Sequence, residues 1–271
     1  MDVAVHVLFS CGLRADGEVD CWGARRPNAC YSEWAECPGW AADPIPPGPF
    51  AAFDVASGRS ELEGTVCAVR PSGEMVCWGE GQSRLRPPDG EFVGVEVGRD
   101  AACGLRSGGE TECWGRVDWL GQVPGSVLEA VSVDRMHACG LRSGGEGVVE
   151  CWGDNTWGAA APPPGEFTAI DVEGRLSCGL RPGGEAECWG EPLFGDAEPP
   201  PGPFTAIQVR DTWRGTYVCA LRADGTAACW LSYGPKIGQG DDGEMDTGET
   251  VGCVECFEEE LEMEPWDPAW G

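Results

Sequence analysis

The chain has 271 residues with 46 acidic and 18 basic side chains, which gives a formal net charge of −28. A field of this sign repels the phosphates of nucleic acids and of anionic lipids, so we expect neither nucleic acid nor membrane insertion. No apolar run reaches the roughly 18–20 residues of a membrane-spanning helix, and the 16 cysteines and 13 tryptophans argue against a disordered chain.

One motif recurs six times and defines the organisation of the chain. Its copies read CGLRADGEVDCWG from Cys11, CAVRPSGEMVCWG from Cys67, CGLRSGGETECWG from Cys103, CGLRSGGEGVVECWG from Cys139, CGLRPGGEAECWG from Cys178 and CALRADGTAACWL from Cys219. The first cysteines of successive copies lie 36 to 41 residues apart, but the first interval is 56 residues because of an insertion at about residues 24–46.

Each motif predicts a β-hairpin. A three-residue loop with a left-handed glycine places the two cysteines opposite each other, whereas a two-residue Asp-Gly turn would place Cys11 opposite Trp22. We assign the loop glycine to the sixth residue after each first cysteine: Gly17, Gly73, Gly109, Gly145, Gly184 and Gly225. The same register predicts the pairs Arg14–Glu18, Arg70–Glu74, Arg106–Glu110, Arg142–Glu146 and Arg181–Glu185. The pairing of the cysteines and the pairing of arginine with glutamate therefore favour the same register.

Directly opposed residues of an antiparallel pair lie at a distance that a disulfide can bridge. The predicted bridges are Cys11–Cys21, Cys67–Cys77, Cys103–Cys113, Cys139–Cys151, Cys178–Cys188 and Cys219–Cys229. The fourth motif has two extra residues. Because side chains alternate between the two faces of a strand, an even number of extra residues leaves its cysteines on the same face.

A further strand precedes each hairpin. It has the alternating pattern Phe-x-x-Ile/Val-x-Val at residues 92–97, 167–172 and 204–209, and Pro-Gly connections link the units. A repeat of three or four short strands at this pitch is typical of a propeller blade, which buries both faces against its neighbours. We predict an all-β chain, a β-propeller of six recognisable blades with a seventh left open.

The motif CGLR-x-GGE-x-ECWG, with Phe-x-x-Ile-x-Val before it, resembles the regulator of chromosome condensation repeat family over residues 1–230. The resemblance implies a propeller, commonly of seven blades. Activities in the family include guanine-nucleotide exchange on a small GTPase and, in a secreted bacterial branch, inhibition of β-lactamases. The paired cysteines resemble that secreted branch.

The last part of the chain departs from the pattern. We divide the chain into the repeats, 1–235, and an acidic, tryptophan-containing segment, 236–271. Residues 231–271 amount to one repeat pitch without a Cys-Trp-Gly. They complete the ring, form a degenerate seventh blade, or leave a place that another chain fills by strand addition.

Four cysteines lie outside the hairpins: Cys30, Cys37, Cys253 and Cys256. Because Cys30 and Cys37 are too far apart for the usual zinc spacing, we favour two more disulfides over a four-thiolate site. The acidic run with Asp241, Asp242, Glu244 and Asp246 could bind Ca²⁺, but it matches no EF-hand loop and suits a solvated loop better. No other cofactor is expected.

Tryptophans outside the repeat positions are the candidate partner-binding residues: Trp34, Trp40, Trp119, Trp157, Trp213, Trp266 and Trp270. For any one of them, the leading alternative is that the side chain packs locally within the chain's own fold. His6 and His137 stand alone, and no catalytic motif occurs, so we predict no enzyme.

Six disulfides need an oxidising compartment, so we expect an extracellular or cell-surface location, although no signal peptide is recognised in residues 1–13. We predict a protein-binding scaffold that uses aromatic and acidic loops. The alternative is a self-assembling subunit of a surface layer or filament, whose partners are copies of itself and whose strand or tail is exchanged between chains.

Overall fold

The computed structural model describes residues 2–5, 9–23, 45–57, 64–79, 85–145, 147–191, 199–212 and 215–233. Within these ranges lie 18 strands and one short 3₁₀ helix, η1 (Leu120–Gln122). In this part of the chain no helix is long and apolar enough to span a bilayer.

The strands form six antiparallel sheets of three strands, one sheet for each sequence motif. Blade 1 contains β1 (Asp2–Val5), β2 (Phe9–Leu13) and β3 (Val19–Gly23), and blade 2 contains β4 (Ala52–Ser57), β5 (Gly64–Val69) and β6 (Met75–Gly79). Blade 3 contains β7 (Gly94–Val97), β8 (Ala101–Leu105) and β9 (Thr111–Gly115), and blade 4 contains β10 (Leu128–Val133), β11 (His137–Arg142) and β12 (Val149–Gly153). Blade 5 contains β13 (Ala169–Glu173), β14 (Leu176–Leu180) and β15 (Ala186–Gly190), and blade 6 contains β16 (Ala206–Thr212), β17 (Gly215–Leu221) and β18 (Ala227–Tyr233).

Successive blades stand side by side with their first strands innermost. The first strands contact one another along the series from β1 and β4 to β13 and β16. Apolar side chains from neighbouring blades interleave, as where Val69 and Met75 of blade 2 pack with Phe92 and Val95 of blade 3. Because both faces of a sheet are covered in this way, β5 is buried along its whole length. This confirms the predicted six-bladed, all-β architecture.

The six predicted disulfides are present. The two cysteines of each motif are directly opposed in the strand register, as Cys11 is to Cys21 and Cys139 is to Cys151. Their Cα atoms are 4.0 to 4.1 Å apart in all six bridges. Cys30, Cys37, Cys253 and Cys256 lie outside the described residues, and their pairing stays a prediction.

The hairpin loops confirm the three-residue register, with one correction. In blades 1, 2, 3 and 5 the arginine amide donates to the carbonyl of the opposed glutamate, for example Arg70 N to Glu74 O at 2.8 Å. In blade 4 the residue opposite Arg142 is Val148, at 2.9 Å, and the prediction of Glu146 there was wrong. The two extra residues displace the loop glycine as well, from Gly145 to Gly147.

The arginine side chains also differ from the prediction. Among the predicted pairs whose two members are described, only Arg70 forms the ion pair, with Glu74 at 3.5 Å. In blades 3 and 5 the pairs run diagonally to the next acidic residue on the same face, as Arg106 does to Glu112 at 2.5 Å and Arg181 to Glu187 at 2.5 Å. In blade 1, Arg14 lies 2.9 Å from Asp16 of its own loop and 3.4 Å from the diagonal Asp20. Diagonal neighbours of an antiparallel pair lie within reach of long side chains, so an arginine can pair with either acid.

Each junction between described blades uses the same hydrogen bond. The amide at the start of one blade donates to the carbonyl of the loop glycine of the preceding blade. The five bonds measure 2.7 to 2.9 Å and run from Phe50 to Gly17, Phe92 to Gly73, Leu128 to Gly109, Phe167 to Gly147 and Phe204 to Gly184. The loop glycines have φ between +58° and +86°, a conformation that L side chains rarely adopt.

At four of the five junctions the donor residue is a phenylalanine, and its ring is the centre of a small cluster. Phe92 is 2% exposed, and its ring lies 6.1 Å from that of Trp114. The Arg106 guanidinium covers the other side of the ring at 4.4 Å and donates to the Glu91 carbonyl. The same arrangement recurs around Phe50, Phe167 and Phe204. The hairpin arginines are therefore occupied in holding the connection between blades.

Candidate functional site

The propeller has two faces with different roles. The hairpin face is the one at which the second and third strands of each blade are joined, and it contains the junctions described above. The variable face is the opposite one, at which the first and second strands are joined and the third strand ends. Because blade contacts occupy the hairpin face, the segments that differ between blades leave from the variable face.

A cleft of about 550 Å³ opens on the variable face between blades 3 and 4. It is formed by the turn between β7 and β8, the segment after β9, the turn between β10 and β11, and the end of β12. Its lining residues are Asp100, Arg116, Val117, Asp118, Trp119, Gln122, Arg135, Met136, Gly153 and Asp154. Both signs of charge are present, with apolar atoms between them.

The segment that follows β9 builds one wall of the cleft. Arg116 N donates to Asp100 O at 2.8 Å, which turns the chain across blade 3. Trp119 immediately precedes η1 and is 4% exposed, and its indole N–H donates to Arg135 O of blade 4 at 3.0 Å. At the end of the helix, Gln122 Oε1 accepts a hydrogen bond from Gly153 N at 3.3 Å. The wall is thus fixed to both blades, while Arg116, Asp118 and Arg135 remain exposed.

Asp154 is the best-defined acidic group of the cleft. Its carboxylate accepts hydrogen bonds from the Thr156 hydroxyl and from Thr156 N, the latter at 2.8 Å. These bonds lower the pKa of Asp154 below its ordinary value. The cleft therefore presents a fixed anion close to the exposed cation of Arg135 at neutral pH.

A histidine–serine pair lies beneath this region, but its geometry is structural. His137 Nε2 is 2.7 Å from Ser177 Oγ, and both side chains are fully buried. The Ser177 hydroxyl donates to Ala159 O at 2.9 Å, so the imidazole is the donor to that hydroxyl and cannot act as its base. Burial lowers the pKa of His137, which keeps the ring neutral. The pair ties blade 4 to blade 5.

A second charged cluster, not predicted from the sequence, lines the inner strands. It occupies the middle position of the Phe-x-x-Ile/Val-x-Val pattern, where a side chain of one blade accepts a hydrogen bond from the inner strand of the next. Asp54 accepts from Val97 N at 2.7 Å, Ser132 from Val172 N at 3.1 Å, and Asp171 from Val209 N at 2.5 Å. Inner strands are sheet edges, and these bonds satisfy amides that no neighbouring strand can reach.

Arg210 of blade 6 lies among these acids. Its Nη1 is 3.8 Å from both Asp171 and Glu173. Burial alone would lower the pKa of Arg210, but Asp171, Glu173 and the more distant Asp54 raise it. Because Asp54 belongs to blade 2 and still interacts with Arg210 and Asp171, the inner strands converge on a common axis.

The pKa of Asp54 provides a test of this network. Burial raises the pKa from 3.8 to about 6, against the opposing effects of Val97 N–H and Arg210. The folded protein then holds this proton more tightly than the unfolded chain, so the contribution of Asp54 to stability is full below about pH 4 and is lost as the pH rises through 6. In Asp54→Asn, which retains an acceptor for Val97, the stability relative to the unmodified protein should rise by about 1 kcal/mol between pH 4 and pH 7.

Urea titrations at these two pH values measure the effect, with the exposed Asp118→Asn as the matched control. A stability difference between Asp54→Asn and the unmodified protein that stays constant with pH would contradict the assignment.

Two of the tryptophans predicted to bind a partner are described. Trp119 is the buried wall of the cleft, and Trp157 is half-buried on the variable face with the Arg175 guanidinium 3.9 Å from its ring. Neither position tests partner binding, which stays a prediction for both. The remaining predicted residues lie outside the described ranges: Trp34, Trp40, Trp213, Trp266, Trp270, Asp241, Asp242, Glu244 and Asp246.

Sequence reasoning missed most of the cleft. Asp100, Arg135 and Asp154 are far apart in the chain and lie in turns that share no motif, so no pattern links them. The inner acids did leave a signal, since a polar residue recurs between the two apolar positions of each inner strand.

Comparison with known proteins places the fold among propellers. No protein-family model and no curated protein matches the chain. Among solved structures, the ectodomain of the receptor kinase CR4 from Physcomitrella patens is 25% identical with a TM-score of 0.62, and the match covers 84% of this chain and 62% of that one. The CRINKLY WD40 ectodomain of the Arabidopsis thaliana receptor kinase ACR4 is 22% identical with a TM-score of 0.59, covering 84% and 80%.

A yeast protein gives a similar match. Prp20p from Saccharomyces cerevisiae, whose structure was described with its binding to Gsp1p and histones, is 14% identical with a TM-score of 0.60, covering 84% of this chain and 71% of that one. Another structure shows yeast RCC1 (Prp20) with Kap60 bound, at a TM-score of 0.55. The chain is therefore a propeller similar in fold to RCC1 and to the ectodomains of plant receptor kinases.

Proposed function

We propose that the protein is a non-enzymatic extracellular propeller that binds another protein through its variable face, with the cleft between blades 3 and 4 as the contact site. The observation that carries this proposal is the cleft itself. It is the place where exposed charges of both signs, Arg116, Asp118, Arg135 and Asp154, are held on a wall fixed to two blades.

The chemistry of the cleft favours a polypeptide segment as its occupant. Its volume is within the range of ligand sites, but its lining is polar and open rather than enclosed and apolar. Met136 and Val117 provide a small apolar patch between the charges. A loop with an acidic side chain for Arg135 and a basic one for Asp154, on either side of an apolar residue, matches this arrangement.

The solved structures support protein binding in an extracellular setting. Two of them are receptor ectodomains, and the Prp20p structures concern protein partners. Six disulfides agree with an oxidising compartment. We extend the proposed surface to the tryptophan-containing segments 24–44 and 213–214, because β3 and β16, the strands that precede them, end at the variable face.

Site-specific photocrosslinking tests the proposal. A benzophenone side chain at Met136 should capture one discrete protein from the native extracellular medium, and the same group at Val93, which is 53% exposed on the hairpin face, should not. The substitution Arg135→Glu should reduce the yield of the Met136 product about tenfold or more, since it opposes the acidic side chain of the partner.

A second arginine substitution provides the control. Arg86→Glu, at an exposed position of the connection between blades 2 and 3 that does not line the cleft, should leave the Met136 product unchanged. Equal capture from both sites, or a Met136 product that is indifferent to Arg135→Glu, would show that the cleft is not the contact site.

A further inference from the structure

Blade 6 exposes a surface that the following blade covers in the rest of the molecule. Leu221 is 41% exposed, whereas the residues at the same position in blades 2, 4 and 5 are at most 3% exposed: Val69, Leu141 and Leu180. The corresponding Leu13 and Leu105 of blades 1 and 3 are partly buried. Gln208, at the middle position of the inner strand, is exposed too, while Asp54, Ser132 and Asp171 at that position are not.

Within the ranges that the structure describes, the loop glycine of blade 6 also lacks the covering contacts that the loop glycines of the earlier blades have. A Cβ atom built on the loop glycine of any earlier blade would lie 2.4 to 2.8 Å from an atom of the next blade. On Gly225, which has a similar φ of +86°, no atom of the described residues lies within 4 Å of that position. The loop therefore has the conformation that receives a neighbouring blade, and the described part of the chain leaves its front open.

A segment near the C-terminus has the sequence of an inner strand. Residues 248–256 read GETVGCVEC, and residues 90–97, which enter blade 3 through β7, read GEFVGVEV. The two agree in Gly-Glu, in Val-Gly and in Val-Glu, and the later segment has one additional residue, Cys253. One extra residue suits a β-bulge, and β10 already has a register shift of this kind between Leu128 and Ala130.

The spacing of this segment fits the repeat. The relevant interval runs from the residue after a Cys-Trp pair to the next residue whose amide donates to a loop glycine. It is 13 positions from Gly79 to Phe92 and 14 from Gly190 to Phe204. The insertion lengthens this interval to 27 from Gly23 to Phe50. In the C-terminal segment, Thr250 corresponds to Phe92 and follows Leu231 by 19 positions. The connection is long enough to reach the open face of blade 6.

We propose that residues 248–256 dock beside blade 6 as a seventh inner strand. The Thr250 amide donates to the Gly225 carbonyl, and the apolar side chains of the segment cover Leu221. At the other end, the Cys256 amide donates to the side-chain oxygen of Gln208, as Val97, Val172 and Val209 do to the polar residue of the preceding blade. Glu255 then joins the acids of the inner cluster, at the position of Glu96.

Hydrogen–deuterium exchange of the full chain tests this docking. Amides of peptides covering 248–256 should exchange at least about tenfold more slowly than those of a synthetic peptide of the same sequence. Leu221→Glu should abolish this protection, because it places a charge against the docked strand. Val93→Glu introduces the same charge at another exposed apolar position, and it should leave the protection unchanged.

A second variant tests the docking without introducing a charge into blade 6. Gln208→Ala removes only the acceptor, and it should accelerate exchange at Cys256 while exchange in β17 and β18 stays the same. Random-coil exchange of 248–256 in the unmodified protein would overturn the proposal. Protection that appears only as the protein concentration rises would assign the occupant to a second chain and would also overturn it. Neither result affects the cleft between blades 3 and 4.

Discussion

Replacing Cys103 and Cys113 together by alanine should lower the free energy of unfolding by about 3 kcal/mol. The bridge closes a loop of ten residues, and a cross-link of that length removes a corresponding amount of chain entropy from the unfolded state. Cys103 is completely buried, so its replacement by the similarly small alanine avoids burying a new polar group. Urea unfolding monitored by tryptophan fluorescence measures the loss.

The matched control uses an exposed position of the same hairpin. Glu110→Ala changes the loop between β8 and β9 without touching the bridge, and it should cost less than about 1 kcal/mol. A similarly small loss on removal of the bridge would mean that packing alone holds the hairpin in register. In that case the disulfide would constrain the unfolded chain far less than its loop length implies.

Phe92→Ala should cost about 3–5 kcal/mol, because it removes the ring at the centre of the junction between blades 2 and 3. The ring is buried between Trp114 and the Arg106 guanidinium. The neighbouring Val93→Ala is the control, since Val93 is 53% exposed and its side chain packs little. Thermal and urea denaturation of the two variants give the comparison.

Gly104 allows a stricter test of the same contact. A Cβ at this position would lie 2.4 Å from Phe92 Cδ1, and the three nearest atoms are all side-chain atoms of Phe92 and Met75. Gly104→Ala alone should therefore destabilise the protein by about 1–3 kcal/mol through overpacking. In the Phe92→Ala background the same change should be close to neutral, because the new methyl group enters the cavity. Additive effects in this double-mutant cycle would place the ring elsewhere.

The sequence predicted those parts of the fold that depend on local geometry. The position of Gly17 fixes its hairpin, and that hairpin fixes the pairing of Cys11 with Cys21, so two short-range facts were enough for the disulfide. In blade 4 the same reasoning failed at the loop, where Gly145 and Gly147 compete and parity alone cannot choose between them. The hydrogen bond from Phe167 N of the next blade to the Gly147 carbonyl selects Gly147 as the loop glycine. This contact lies between blades, and the motif alone does not predict it.

Contacts between blades were beyond a motif-based prediction. Asp54 and Asp171 occupy repeat positions, yet their partner Arg210 stands at a position that has no arginine or lysine in blades 2 to 5. Its role follows from the convergence of the inner strands, which brings together residues that are more than 100 positions apart. The cleft is similar, because Arg116 and Asp154 meet only once blades 3 and 4 are side by side.

The bond between an amide at the start of one blade and a glycine carbonyl of the blade before it has a direction. At the five described junctions, a blade donates this hydrogen bond to the blade before it and accepts the same bond from the blade after it. Any two blades can therefore be joined in the same way. A whole unit could be duplicated or deleted in evolution without inventing a new joint, whereas a cut inside a unit would separate a cysteine from its mate. Such a chain can change its number of repeats more easily than it can change the interior of one.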